Sequence, residues 1–371
     1  MMPHPWIADR TLAFDSSGIR KVFDLAGKIK NPINLSIGQP DFDVPIAVQD
    51  AMIDAIRGGK NNYSVTQGIP ELRQRLKEKR GIAEESERDL FICSGTSGGL
   101  NLALMSMINE GDEVIFFDPY FVMYPSLVRM AGGVPVSLDC GDGFQIDVGR
   151  VEQAITDKTK MIIFNSPSNP TGVVASETQI KELAELAQKH DIALLSDEIY
   201  SEFCYDDPFM SPSQFNPQTI VIDGLSKSHA MTGLRVGWVE GPRPLIETMM
   251  KLQQYTFVCA PHPAQWGGIA ALETGIEGHV AEYREKRDKV IAGLQDLYEI
   301  PPSAGAFYLY PKVPWGNSVS FVESAIAKGL LLIPGSIFSR HQTHFRLSYA
   351  ATDETLDRGI DILRTMAENP E

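Results

Sequence analysis

The sequence predicts an α/β protein: a large domain with a mostly parallel seven-stranded sheet between helices, joined to a smaller α+β domain. Three features of the chain point there. Seven runs, at 90–93, 113–117, 134–138, 161–164, 192–195, 219–222 and 236–239, are short and almost continuously apolar, as strands buried on both faces are. Stretches of helical spacing separate most of them. After about residue 300 the order becomes strand, helix, strand, strand, helix, an α+β pattern. The 371 residues suffice for one large domain with an accessory lobe.

Asp15-Ser-Ser-Gly opens a short helix running to Ala26. A strand from Ile33 breaks at Gly38-Gln-Pro40, where a glycine ahead of a proline makes a bend with exposed backbone N–H groups, or a plain turn. Val48, Met52, Ala55 and Ile56 mark a helix over 46–57, stopped by Gly58-Gly59. The 61–68 stretch is loop, and Pro70 starts a charged helix that ends at Gly81. Helices at 100–108, 119–130 and 151–155 alternate with the first strands. Ser176 and Gln179 form a capping box that opens a helix with the stripe Ile180, Leu183, Leu186 and Ala187. Lys227 follows the 219–222 strand in a loop of small residues. Residues 269–297 read as one amphipathic helix into the second lobe. That lobe reads as strand 306–310, helix 319–327, strands 330–333 and 344–349, and a terminal helix over 352–367, with the N-terminal segment packed on it.

The net charge of −15 argues against nucleic acid or an anionic membrane as a partner. Cys93, Cys140, Cys204 and Cys259 are far apart and form no CxxC, which argues against a zinc site or a disulfide framework and for a reducing compartment. The N-terminal residues lack the basic-then-apolar order of a signal peptide, and no apolar run approaches the ~20 residues of a membrane helix. A cytoplasmic protein is expected.

In a parallel sheet ligands bind beyond the carboxyl ends of the strands, so the residues following each strand carry the functional information. After the 90–93 strand comes Ser94-Gly-Thr-Ser-Gly-Gly99 ahead of a helix, either an anion cradle of N–H groups and hydroxyls or a glycine turn. Neither a Gly-Lys-Ser/Thr nor a GxGxxG follows, which excludes both nucleotide fingerprints. Phe121 follows the next strand and is placed to cover a flat ring or to fill the core. Asn169 lies in a polar loop with two X-Pro steps, where it can donate to a ring substituent. Asp197 ends the 192–195 run, and a buried acid there needs a partner, such as a cationic ring nitrogen or backbone donors. Tyr200 stands three residues on. Lys227, crowded by small neighbours, is placed to be desolvated and to attack a carbonyl as a free amine. Arg235 follows eight residues later. One ligand uses all of them: an aromatic ring with a basic nitrogen, a phenolic oxygen, a phosphate and an aldehyde, which is pyridoxal 5′-phosphate. Lys227 takes the aldehyde, Asp197 the ring nitrogen, Asn169 and Tyr200 the phenolic oxygen, and Phe121 the ring face. Gly95, Thr96, Ser97 and Arg235 take the phosphate.

Taken in order, Gly38-Gln-Pro-Asp-Phe, Tyr63…Gly68…Glu71-Leu-Arg, Asn169-Pro-Thr-Gly, Ser196-Asp-Glu-Ile-Tyr, Ser226-Lys-Ser…Gly-Leu-Arg-Val-Gly-Trp and Phe345-Arg346-Leu-Ser resemble the class I/II aminotransferases of the aspartate aminotransferase superfamily, in particular their I-gamma branch. The likeness runs from about Leu35 to Ala350. It implies the fold type I of pyridoxal-phosphate enzymes, with a large cofactor domain over 46–275 and a small domain made of 1–45 and 276–371. It implies that Arg346 clamps the substrate α-carboxylate through its planar fork, and that Gly38 and Asn169 also bind substrate. It implies that Ser226 joins the phosphate ligands, and that Tyr63 reaches the phosphate of the neighbouring subunit in a homodimer with shared sites. The chain departs from the pattern at Gly224, where relatives often carry serine, and at Phe121, where they often carry Trp or Tyr. No second arginine for a dicarboxylate side chain stands out; Arg20 is either a helper for it or, as the better reading, a surface helix residue.

The expected activity is amino transfer from an L-amino acid of aspartate, alanine or aromatic type to a 2-oxo acid, with Lys227, Asp197 and Tyr200 as the catalytic residues and no metal. The 254–262 segment and the Gly38 loop are expected to line the side-chain pocket. The alternatives are a carbon–sulfur β-lyase on the same scaffold and a non-catalytic ligand-sensing domain.

Overall fold

The computed structural model describes residues 4–14, 18 and 31–369, so the helix expected from Asp15 to Ala26, Arg20 included, lies outside the described residues except for Gly18. Its first strand, β1 (Ile33–Asn34), belongs to the small lobe. The large sheet is built from β2 (Arg88–Ser94), β3 (Glu113–Asp118), β4 (Val134–Asp139), β5 (Thr159–Asn165), β6 (Ala193–Asp197), β7 (Ile220–Gly224) and β8 (Val236–Pro242). They lie in the order β2-β8-β7-β6-β5-β3-β4. Only β8 runs against its neighbours, so β2 and the five others share one direction and one C-terminal edge.

Alternate residues of each strand feed opposite cores, because successive side chains of a strand point to opposite faces. Phe91, Cys93, Val114, Phe116, Met161 and Ile163 pack on the helices Gly95–Met107 and Met123–Met130. On the other face Ile115, Ile162, Phe164 and Leu194 meet the stripe Ile180, Leu183 and Ala187 of the helix Glu177–Lys189. Leu90, Ile92 and Trp238 meet Val48, Leu72 and Leu76 of the helices Ile46–Arg57 and Pro70–Arg80. The capping box is formed as expected: Ser176 accepts from the Gln179 N–H and Gln179 accepts from the Ser176 N–H.

The small lobe holds two slight sheets. In one, β1 pairs in parallel with β10 (Leu330–Leu331); in the other, β11 (Ile333–Pro334) and β9 (Tyr308–Leu309) flank β12 (Phe345–Ser348). Tyr283, Phe307, Phe321, Phe345, Tyr349 and Leu363 form its core, and Tyr200 and Phe203 of the large sheet's loops join it. No helix among the described residues is long and apolar enough to cross a membrane.

Several expectations need correction. The glycine run is the first turns of a helix rather than a lead-in, since Gly95 already begins it. The next helix starts at Met123 and not at 119; before it the Tyr120 N–H bonds to the Phe338 carbonyl of the small lobe rather than within a helix. The single helix over 269–297 is two, His262–Leu272 and Glu277–Leu294, interrupted at Thr274-Gly275 where the Thr274 carbonyl instead binds the His229 ring. The strand at 330–333 splits between two sheets: Leu331 pairs with β1 and Ile333 with β12. The helix Arg243–Thr256, whose buried stripe is Ile246, Met249 and Gln253, was not expected. Lys227 stands in a helical turn, Leu225–Ser228, rather than in a loop.

Candidate active site

The carboxyl edge of the large sheet and the small lobe enclose a cleft of about 310 Å³, a size suited to a small ligand. Gly38, Thr96, Ser97, Phe121, Asn169, Asp197, Tyr200, Ser226, Lys227, Arg235 and Arg346 all line it. Gly95 sits directly beneath Arg235: a Cβ there would lie 2.3 Å from the arginine's Nη2. Of the expected cofactor and substrate ligands among the described residues, Tyr63 lies elsewhere in its own chain and is 80% exposed.

Lys227 donates from Nζ to the Gly38 carbonyl at 2.6 Å, while part of its surface stays open to the cleft. Burial brings its pKa down to about 8, with the charges of Arg346 and Arg235 acting the same way and Asp197 opposing them. The C-terminal residue of β6, Asp197, accepts from Tyr124 Oη at 2.8 Å and, more weakly, from the Ile199 N–H at 3.4 Å. Burial pushes its pKa up to about 6 against those hydrogen bonds and the attraction of Lys227. A cationic N–H placed beside it would offset that cost.

Arg346, 2% exposed, lies on β12 between the rings of Tyr308 and Phe338, 4.4 and 4.8 Å from its guanidinium carbon. Nη1 donates to Asn169 Oδ1 and Nη2 to the Ser36 carbonyl, both at 2.9 Å. Its Nε is buried and has no partner, and no carboxylate pairs with it among the described residues. Burial pulls its pKa below the usual guanidinium value, a cost an arriving anion would relieve.

At the other end of the cleft Arg235 donates to Ser97 Oγ and the Thr232 carbonyl, each at 2.8 Å. The helix Gly95–Met107 presents its N-terminal N–H groups on the same spot, and positive dipole, hydroxyls and guanidinium together favour a phosphate. Phe121 meets Tyr124 edge-on at 5.6 Å. Tyr200 Oη lies 2.8 Å from Tyr308 Oη.

Tyr124, Asn165, Tyr308 and Phe338 escaped sequence reasoning. Asn165 ends β5 just as Asp197 ends β6, and it donates to the Asp197 carbonyl while accepting from the Asn169 N–H, each at 2.9 Å. The strand-end rule that found Asp197 finds it too. Tyr124 stands one helical turn past Phe121. Tyr308 lies in an apolar run and Phe338 beside a single apolar neighbour, and neither carries a local signal. The 254–262 segment, expected at the side-chain pocket, does not line this chain's cleft, and Tyr255 is 85% exposed; the Gly38 loop does line it.

Fold and site together define a fold type I pyridoxal-phosphate enzyme. The family of class I and II aminotransferases matches residues 30–363, and the chain belongs to it: it is a class I/II aminotransferase. It is 38% identical to a probable aspartate aminotransferase of Methanocaldococcus jannaschii over 98% of this chain and 100% of that one. Against aromatic-amino-acid aminotransferase 2 of Thermococcus litoralis the identity is 33%, over 96% of both chains. The aspartate aminotransferase of Thermus thermophilus solved with maleate superposes with a TM-score of 0.92 at 33% identity, covering 97% of this chain and 100% of that one.

Family and fold imply pyridoxal phosphate, and the residues present fit it. The pocket left by Gly95 admits Arg235 to the helix N-terminus, the buried Asp197 has no cationic partner among the described residues other than the nearby Lys227, and burial lowers the pKa of Lys227.

Proposed function

We propose that this aminotransferase moves the amino group of an L-amino acid of aspartate, alanine or aromatic type to a 2-oxo acid, with the roles of its site residues as follows. The buried, incompletely paired Arg346 facing Lys227 and Asp197 is the observation that carries this reading. Arg346 binds the α-carboxylate. Its engagement of Asn169 Oδ1 leaves the Asn169 amide N–H groups as donors. Bound pyridoxal phosphate supplies an aldehyde and an electron-withdrawing ring that stabilises negative charge at the substrate α-carbon. Asp197, held by Tyr124, keeps the ring nitrogen protonated. Lys227 Nζ, whose pKa is brought down to about 8 in the cofactor-free chain, would take the α-proton as general base and, as general acid, give it to the carbon that entered as the cofactor's aldehyde. Tyr200 donates to the ring oxygen. Gly95, Thr96, Ser97, Ser226 and Arg235 hold the phosphate.

We also propose a homodimer in which Tyr63 serves the neighbouring site. Its loop is tied to the distant 253–265 segment by Gln265 Nε2 donating to Ser64 Oγ and Gln253 Nε2 donating to the Thr66 carbonyl. Exposed Tyr63, Val65, Tyr255, Phe257 and Val258 therefore lie in adjoining segments, which is an apolar surface suited to a second copy.

The test is a set of half-reactions. The cofactor-loaded protein is mixed with single amino acids, without a 2-oxo acid, and loss of its visible absorption is followed. Bleaching by one class of donor supports transamination and identifies that donor. Pyruvate and ammonia released from a cysteine-type donor without an acceptor mark a β-lyase instead.

A further inference from the structure

Tyr308 touches both ends of the substrate-binding machinery without belonging to either. It lies on β9, whose partner β12 carries Arg346; Leu309 pairs with Leu347 and Tyr308 with Ser348. Its side chain is 1% exposed. The ring face lies 4.4 Å from the Arg346 guanidinium carbon. Its hydroxyl lies 2.8 Å from Tyr200 Oη. The same hydroxyl would stand 2.6 Å from a Cβ at Gly38, the residue whose carbonyl accepts from Lys227. Its backbone is pinned as well, because Ser303 Oγ donates to the Tyr308 carbonyl at 3.0 Å. Little freedom remains for the ring.

We propose that Tyr308 is a positioning residue that couples the carboxylate clamp to the cofactor's ring oxygen, its ring supporting Arg346 while its hydroxyl donates to Tyr200. This rests on the reading of the cleft as the pyridoxal-phosphate site. The direction of the hydrogen bond follows from counting protons. A tyrosine hydroxyl has one proton to give and lone pairs to accept with. When Tyr200 spends its proton on the ring oxygen, the 2.8 Å contact leaves Tyr308 as the donor. A donor behind Tyr200 polarises it and strengthens its own donation. Donation to the ring oxygen favours the state in which that oxygen is most negative, the deprotonated state of the bound cofactor. The support under Arg346 is separate: an aromatic face stabilises a desolvated guanidinium and holds its plane.

The two halves are separable by substitution. Tyr308→Phe keeps the ring and removes the hydroxyl; Tyr308→Leu removes both. The readouts are the pH midpoint of the bound cofactor's visible absorption and the affinity for succinate or 3-phenylpropanoate, carboxylates with no amine to react. Tyr308→Phe is expected to raise the midpoint by about half a unit to one unit, the scale of one hydrogen bond, with carboxylate affinity unchanged within about twofold. In a Tyr200→Phe background the same substitution is expected to add almost nothing, because its effect passes through Tyr200. Tyr308→Leu is expected to weaken carboxylate binding about fivefold or more. A wild-type midpoint in Tyr308→Phe, or an undiminished shift in the Tyr200→Phe background, overturns the coupling. Wild-type carboxylate affinity in a folded Tyr308→Leu overturns the support of Arg346. If Tyr308→Leu does not fold, the Tyr308→Phe and Tyr200→Phe cycle decides alone. Failure of the parent reading is distinct: the wild-type protein would then develop no visible band with pyridoxal phosphate, and the coupling would fall with it.

Discussion

Lys227 shows how a side chain gains its chemistry from its neighbours. In water its amine is protonated at neutral pH, but burial and the charges of Arg346 and Arg235 bring its pKa to about 8. The free-base fraction therefore grows as pH rises through about 8, well below the usual lysine range. In cofactor-free protein, the rate of pyridoxal-phosphate uptake or of acylation at Lys227 is expected to rise with a midpoint near 8. Arg346→Gln removes a like charge and is expected to move that midpoint upward. A midpoint near 10 in the unsubstituted protein overturns the assignment. Lys227, Asp197 and Asn169 are legible in the chain itself, because polar residues in the segment after a buried strand need partners. Tyr124, Tyr308 and Phe338 are not. Their roles depend on contacts with residues 73, 108 and 8 positions away, through Asp197, Tyr200 and Arg346 respectively.

At the scale of elements, the helix Gly95–Met107 and the helix Glu177–Lys189 illustrate two kinds of N-terminus. The first has no side-chain cap, so its free N–H groups are available to an anion. Gly95 has φ +68° and leaves no room for a Cβ beneath Arg235. Gly95→Ala is expected to displace Arg235 and weaken pyridoxal-phosphate binding about tenfold or more, judged by the loss of a charge-assisted contact; equilibrium titration of the visible band measures it. Unchanged affinity would remove the cradle from the site. The second helix is closed by its own capping box, whose residues do not line the cleft. Ser176→Ala is expected to cost about 1 kcal/mol of stability with catalysis unaltered, as read by chemical denaturation beside half-reaction rates. Helix boundaries set by such local chemistry were legible in sequence. The start of the helix at Met123 was not, because a hydrogen bond from another lobe decides it.

For the whole molecule, one edge of one sheet gathers the site. Six strands point their carboxyl ends the same way, which brings Asn165, Asp197 and the Lys227 turn together, while β12 delivers Arg346 from the small lobe. The proposed dimer makes a prediction at this scale. Chains carrying Lys227→Ala and chains carrying Tyr63→Ala are expected to be impaired alone. Refolded together, they are expected to regain up to about a quarter of wild-type activity, because half of the pairs form at random as hybrids with one intact site each. No recovery, or a monomer by light scattering, overturns the shared site.

The sequence by itself determined the α/β class, the seven strands and the family, and it named most of the residues that line the cleft. The strands, Lys227, Asp197, Asn169 and the glycine run follow from local physics: periodicity, glycine and proline geometry, and the cost of an acid or amine at the end of a buried strand; Gly38, Ser226 and Arg346 came from the resemblance to a family. Only the tertiary structure decided that 330–333 serves two sheets, that the 254–262 segment lies away from its own cleft, and that Arg346 sits between two rings with one N–H unpaired. Those outcomes depend on which distant segments meet, and periodicity along a chain carries no record of its partners across space.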